Sequence, residues 1–122
     1  MHGFPQDLNL DGIVDSELYL GLGKYSIHFN FDDAGIVIYV EGRATLLEHG
    51  KVIAEWQQDS NWTSLEFQKI VDAIAIRYKV VSENLLEIEF QHGLTLQIHD
   101  DDKAYEAAQI YFEDKSRKTV II

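Results

Sequence analysis

Apolar and polar residues alternate with a period of two along several stretches of this chain, the mark of strands with one buried and one solvated face. Tyr25, Ile27, Phe29 and Phe31 alternate with Ser26, His28 and Asn30, after a Leu18-Leu20-Leu22 run punctuated by Gly21 and Gly23. Asp32-Asp33-Ala34-Gly35 reads as a turn and Ile36 to Val40 as the next strand. The pattern returns from Ile74 and Ile76 toward Val81, turns at Ser82-Glu83-Asn84, and continues with Leu86, Ile88 and Phe90 against Glu87, Glu89 and Gln91. His92-Gly93 turns the chain again before Leu94, Leu96 and Ile98. Ala44-Leu46 and Val52-Ala54-Trp56 predict a further hairpin around His49-Gly50-Lys51. Residues 106–112 and 119–122 are weaker strands at the C-terminal end.

Two of these stretches match each other. Ile27, Phe29 and Phe31 stand against Leu86, Ile88 and Phe90 at a constant offset of 59 residues, each followed by a turn and another strand. Any two amphipathic hairpins share such a pattern, so repetition and coincidence both fit it. Between them, Thr63 with Glu66 makes a capping box, and Phe67, Ile70, Val71 and Ile74 recur at helical spacing. The expected fold is therefore α+β and mostly β. It is an antiparallel sandwich or half-barrel of two β-meander halves, with one short helix over about residues 64–72. The length of 122 residues, one proline and no low-complexity run predict a single domain over 1–122.

Composition narrows the chemistry. The chain carries 21 Asp and Glu against 10 Lys and Arg, a formal net charge of −11. Such a domain is repelled by nucleic acid and by anionic membranes and attracted to cationic proteins, although acidity also serves solubility alone. There is no cysteine, which excludes disulfides, thiolate metal sites and a Cys nucleophile. The first residues lack the basic and apolar regions of a signal peptide, and no apolar run approaches the length that spans a bilayer. The expected location is the cytoplasm.

No catalytic constellation stands out. The sequence has no G-x-S-x-G elbow and no Gly-rich phosphate loop, and its five histidines form no H-x-H or H-x-x-x-H pair. Asp7-Leu8-Asn9-Leu10-Asp11-Gly12-Ile13-Val14-Asp15 follows the first nine positions of a calcium loop, but its twelfth position is Leu18 and Glu17 falls one residue early. Leu8 and Leu10 alternate there as core residues do. The expectation is no cofactor, no metal and no enzymatic activity. The Asp32/Asp33 and Glu87/Glu89 pairs read as solvated charge.

The candidate contacts for a basic partner are the acidic loops Asp32, Asp33, Asp100, Asp101, Asp102, Glu106, Glu113 and Asp114. Trp56 and Trp62 join them as anchors if exposed, and belong to the core if buried. The opening Gly3-Phe4-Pro5-Gln6-Asp7-Leu8-Asn9-Leu10, the meander Tyr25 to Asp33, and Leu94 to Asp101 with Tyr105-Glu106-Ala107-Ala108-Gln109-Ile110 carry a resemblance to a family of small acidic bacterial domains. Residues 42–72 carry little of it. The family is largely uncharacterised and includes immunity proteins of contact-dependent growth inhibition systems. The resemblance implies a cytoplasmic immunity protein that blocks the active site of a basic toxin domain, often an RNase, at the C-terminal end of a large exoprotein. Where the family has a Tyr-Glu-Ser-aromatic stretch, this chain has Tyr105-Glu106-Ala107-Ala108, which puts any role of that stretch in question. The alternatives are an accessory protein-binding domain and a small-ligand β-domain.

Overall fold

The computed structural model describes residues 3–23, 25–58, 65–101 and 106–122. Ten strands form two antiparallel sheets: β1 (Tyr19–Leu22), β2 (Ile27–Phe31), β3 (Ile36–Val40), β4 (Arg43–Glu48), β5 (Lys51–Gln57), β6 (Ala75–Ser82), β7 (Leu85–Phe90), β8 (Leu94–His99), β9 (Ala108–Phe112) and β10 (Val120–Ile121). Sheet I has the order β1-β2-β3-β9-β10 and sheet II the order β5-β4-β8-β7-β6. The fold is thus a mostly β sandwich, not a closed barrel.

The alternation seen in the sequence sets the inner faces. Ile27, Phe29, Phe31, Ile36, Ile38 and Val40 of sheet I are buried, as are Leu86, Ile88, Phe90, Leu94, Leu96 and Ile98 of sheet II, in one continuous core. The rings of Phe31 and Phe90 stack across it, 6.4 Å between centroids and 9° from parallel. Trp56, with 3% of its surface exposed, is part of this core. The β4–β5 hairpin turns at His49 (φ +50°) and Gly50 (φ +81°), a two-residue loop whose positive φ values match the right-handed twist of the strands.

The likeness between the halves runs through the whole topology. Each half supplies a three-stranded meander, β1-β2-β3 or β6-β7-β8, followed by a hairpin, β4-β5 or β9-β10. Each hairpin crosses over to complete the other half's sheet. β9 pairs with β3 as β4 pairs with β8, Ile38 opposite Ile110 and Leu96 opposite Leu46.

The halves also meet in a reciprocal set of backbone hydrogen bonds. The Asp15 N–H donates to the Ala75 carbonyl (2.8 Å) and the Asp72 N–H to the Leu18 carbonyl (2.9 Å). The Leu18 N–H donates to Ala73 and the Ala75 N–H to Ser16, both at 3.1 Å, and Glu17 pairs with Ile74 between them. Each of these residues lies 57 positions from its counterpart. Asp15 (φ +70°) and Asp72 (φ +65°) both adopt the left-handed conformation, which Asp tolerates better than most residues. Both close an Ile-Val-Asp triplet, with Ile13 and Ile70 fully buried. Two register shifts in β6, at Ala75/Arg77 and Val80/Ser82, each insert a residue and bring the offset to the 59 of the β2 and β7 positions.

The expected α-helix is a 3₁₀ segment, Leu65–Ile70. Phe67 and Ile70 are buried three residues apart, the 3₁₀ repeat, whereas Val71 is 39% exposed. Ile74 is drawn into the bridge with Glu17. The left-handed Asp72 ends the segment before a longer helix can form. Thr63 of the predicted capping box lies outside the described residues.

Phe31→Ala is expected to cost about 3–5 kcal/mol of unfolding free energy by chemical denaturation, and Phe90→Ala a similar amount. A double-mutant cycle is expected to give a coupling of about 0.5–1.5 kcal/mol for the stacked pair.

Candidate interaction surface

The acidic candidates divide by place. Asp32 and Asp33 form the 3₁₀ turn between β2 and β3, and Glu113 and Asp114 follow β9. The Glu113 N–H donates to the Gly35 carbonyl at 2.7 Å, so all four exposed carboxylates share one end of sheet I. The Ser116 hydroxyl (2.8 Å) and N–H (2.9 Å) both bond Asp114 and hold its carboxyl below the usual range. Glu106 stands at the opposite end, before β9, and accepts from Gln109 Nε2 at 2.7 Å.

The aspartate run after β8 does not act as one acidic loop. Strand alternation turns Asp100 inward, 1% exposed, where Oδ2 accepts the Gly3 N–H at 2.7 Å. Its own N–H donates to Asn84 at 2.9 Å. Asp100 therefore anchors the N-terminal segment from within, and its carboxylate is not part of the exposed acidic surface. Asp101 is bound by Arg43, at 2.6 Å from Nε and 3.3 Å from Nη2. Trp56 is withdrawn as an anchor by its burial, and Asp102 and Trp62 lie outside the described residues.

The outer face of sheet II is charged, and several of its side chains pair with one another. Arg43 bridges Asp101 and Glu55, Arg77 bonds Glu89, and Gln97 donates to Glu87 at 2.7 Å. His99 Nδ1 lies 3.1 Å from Arg43 Nη2 and Nε2 lies 3.0 Å from Thr45 Oγ1. A guanidinium only donates, so Nδ1 accepts and Nε2 carries the proton toward Thr45. Thr45 in turn points its hydroxyl at Glu55, 3.4 Å away. A base that activated Thr45 would need the opposite proton direction, so this triad-like trio is wired as a hydrogen-bond chain. Burial and then the Arg43 charge push the His99 pKa down. For Glu55, burial acts upward, but bonds from Gln57, Arg43 and Thr45 bring it down overall.

The outer face of sheet I differs. Strand register places Tyr19, Asn30, Val37 and Tyr111 in one cross-strand row. Gly21, His28, Tyr39, Gln109 and Ile121 form the next. Neither row contains Asp, Glu, Lys or Arg. The His28 ring lies 4.0 Å from Tyr39, and Tyr39 meets Tyr111 edge-on at 5.2 Å. A side chain at Gly21 would meet His28 at 3.0 Å, so the glycine makes room for the ring. Burial lowers the His28 pKa. Tyr19, Tyr111 and Ile121 are 40–45% exposed. At the acidic end a depression of about 240 Å³ is lined by Asp32, Gly35, Ile36, Val37, Tyr111, Phe112 and Glu113. The polar half of the strand alternation hinted at this face, through residues such as His28, Asn30 and Gln109. Only the strand order gathers them on one surface.

The calcium-like stretch is turned to structural use. Asn9 Oδ1 accepts the Asp11 N–H at 3.0 Å and Asp11 Oδ1 accepts the Tyr78 hydroxyl at 2.7 Å. Leu8 and Leu10 enter the core. Among the described residues no three His, Asp or Glu side chains gather as a metal site, and no helix is long and apolar enough to cross a membrane. Comparison with protein-family profiles, curated proteins and solved structures gives no match.

Asp100→Ala is expected to cost about 1.5–3 kcal/mol in denaturant titration, because it strips the acceptor from the Gly3 N–H. The lowered His99 pKa means that the unfolded chain binds that proton more tightly. Its contribution to stability is full above pH about 6.5 and falls as the pH drops below that value. Histidine titration by NMR should give His99 a midpoint below 6.5, with the melting temperature falling between pH 7 and 5.

Proposed function

We propose that this protein is a non-catalytic binder of a cationic protein surface. On its family resemblance, it is an immunity protein that neutralises a basic toxin domain, an RNase of a contact-dependent growth inhibition system, in the cytoplasm. One observation carries the reading: exposed acid outside any ion pair gathers at one end of sheet I, where the β9–β10 turn also carries Lys115, Arg117 and Lys118. Arg43, Lys69 and Arg77 are engaged by Glu55, Asp101, Glu48, Glu66 and Glu89. Asp32, Asp33 and Glu113 have no ion pair among the described residues, in a chain of net charge −11.

The chemistry of the partner follows from the charge. An RNase must hold a polyanion and is cationic around its active site. An acidic inhibitor shares the charge sign of the substrate and is steered to that site. Association can then rise well above the ~10⁵–10⁶ M⁻¹s⁻¹ of unsteered pairs. Fast capture suits a protein that must stop an enzyme before it turns over.

Stopped-flow association with the toxin domain encoded beside this protein is expected to slow by roughly tenfold as salt rises from 50 to 500 mM. Replacing Asp32 and Asp33 by Asn and Glu113 by Gln should lower the on-rate at low salt and flatten the salt dependence. Association indifferent to salt, or failure to rescue cells that express the toxin, rejects the proposal.

A further inference from the structure

Exchange of the two halves places each outward residue of sheet I on an outward residue of sheet II. Tyr19, Asn30 and Val37 correspond to Arg77, Glu89 and Thr95, and these two rows are paired alike across their strands. Gly21, His28 and Tyr39 correspond in the same way to Lys79, Glu87 and Gln97. The molecule thus contains its own control. On sheet II four of the six positions are charged, and they include the Arg77–Glu89 ion pair and a Glu87 carboxylate that accepts from Gln97. The fold accepts charge at these sites. On sheet I they hold rings, an amide and a glycine, with Tyr19 and Tyr111 exposed at 45% and 40%. Folding does not require that choice.

We infer that the outer face of sheet I is the docking surface for an arginine-rich protein partner, with Tyr19, Tyr39 and Tyr111 as its anchors. The inference rests on the cationic partner proposed above and adds where and how that partner is held. Tyrosines offer large, stiff contact area at low entropic cost and are enriched at interface centres. The planar, weakly hydrated guanidinium stacks on such rings, whereas a lysine ammonium keeps more of its water. Charge complementarity selects the occupant. The two rows hold no Lys or Arg to repel arginine, and carboxylates lie beyond both ends, joined at one of them by Lys115, Arg117 and Lys118 of the β9–β10 turn. Asp32, Asp33 and Glu113 lie beyond one end. Glu41 and Glu106 lie at the other, both reached by Gln109 Nε2. Five strands about 4.8 Å apart make a face roughly 20 Å wide, the size of the centre of an ordinary interface.

The test uses the full chain labelled with ¹⁵N, titrated at low salt with nona-arginine and, separately, nona-lysine. The expected result is amide shifts concentrated on His28, Tyr39 and Tyr111, with nona-arginine about fivefold or more tighter. A Tyr19→Ala/Tyr111→Ala variant, its fold checked in the same spectrum, should lose that preference, whereas Glu87→Gln on sheet II should keep it. Binding confined to the acidic turns, or equal binding of both peptides, overturns the docking surface and leaves the charge-based proposal standing. No binding of either peptide overturns both. Shifts on this face that grow with protein concentration alone, without peptide, assign it to a second copy of the chain and reject the arginine-rich partner.

Discussion

A β-strand at the edge of a sheet leaves a row of backbone donors and acceptors without partners, and neither meander of this protein resolves that problem alone. β3 closes one three-stranded unit and β8 the other, and each has a free edge until a hairpin arrives from the opposite half. β9 supplies the partner for β3 and β4 the partner for β8. The exchange ties the halves together by backbone hydrogen bonds as well as by side-chain packing. The reciprocal crossing at Glu17 and Ile74 adds a second tie, where the chain enters each meander.

Once the sheets are complete, their inner faces are committed to the core and only the outer faces are free to differ. Sheet II uses its outer face for stability. Arg43 gathers Glu55, Asp101 and His99, and the hydrogen-bond chain reaches Thr45, which is almost fully buried although it sits on the outer side. Partly exposed pairs of this kind contribute modestly one by one, and more when several share a network. Sheet I has no such network of charges. Its outer side is built of rings and amides, with a carboxylate surplus beyond its strand ends. The charge is therefore not spread evenly: sheet II pairs part of its own, and Asp32, Asp33 and Glu113, which have no ion pair among the described residues, border the uncharged face.

Much of the fold was legible in the residues themselves. The alternating positions of Ile27 to Phe31 and Leu86 to Phe90 are buried as their pattern indicates, and the turns at Asp32–Gly35, His49–Gly50 and His92–Gly93 join the strands expected of them. The 59-residue likeness marked a true correspondence of elements. The Ile-Val-Asp triplets at Ile13 and Ile70 carried the same message at a different offset, obscured by the two bulges of β6. The helical spacing around Phe67 marked a short helical segment, but of the 3₁₀ type and ending at Ile70, because tertiary pairing claimed Ile74. The acidic candidates were legible as charge but not as geometry: Asp100 and Asp101 are neighbours in sequence, yet one is interior and the other pairs with Arg43.

The sequence by itself determined which residues face inward, where the chain turns, and that the molecule is strongly anionic. These properties are local or additive: side chains alternate along any strand, glycine and asparagine-like residues favour turns, and charges simply sum. Tertiary structure decided which strands lie side by side. That choice depends on pairing between residues far apart in the chain, as between Val37 and Tyr111 or Arg43 and His99. It made one surface of tyrosines from three separate strands, and it set part of the chain's acidity at the border of that surface.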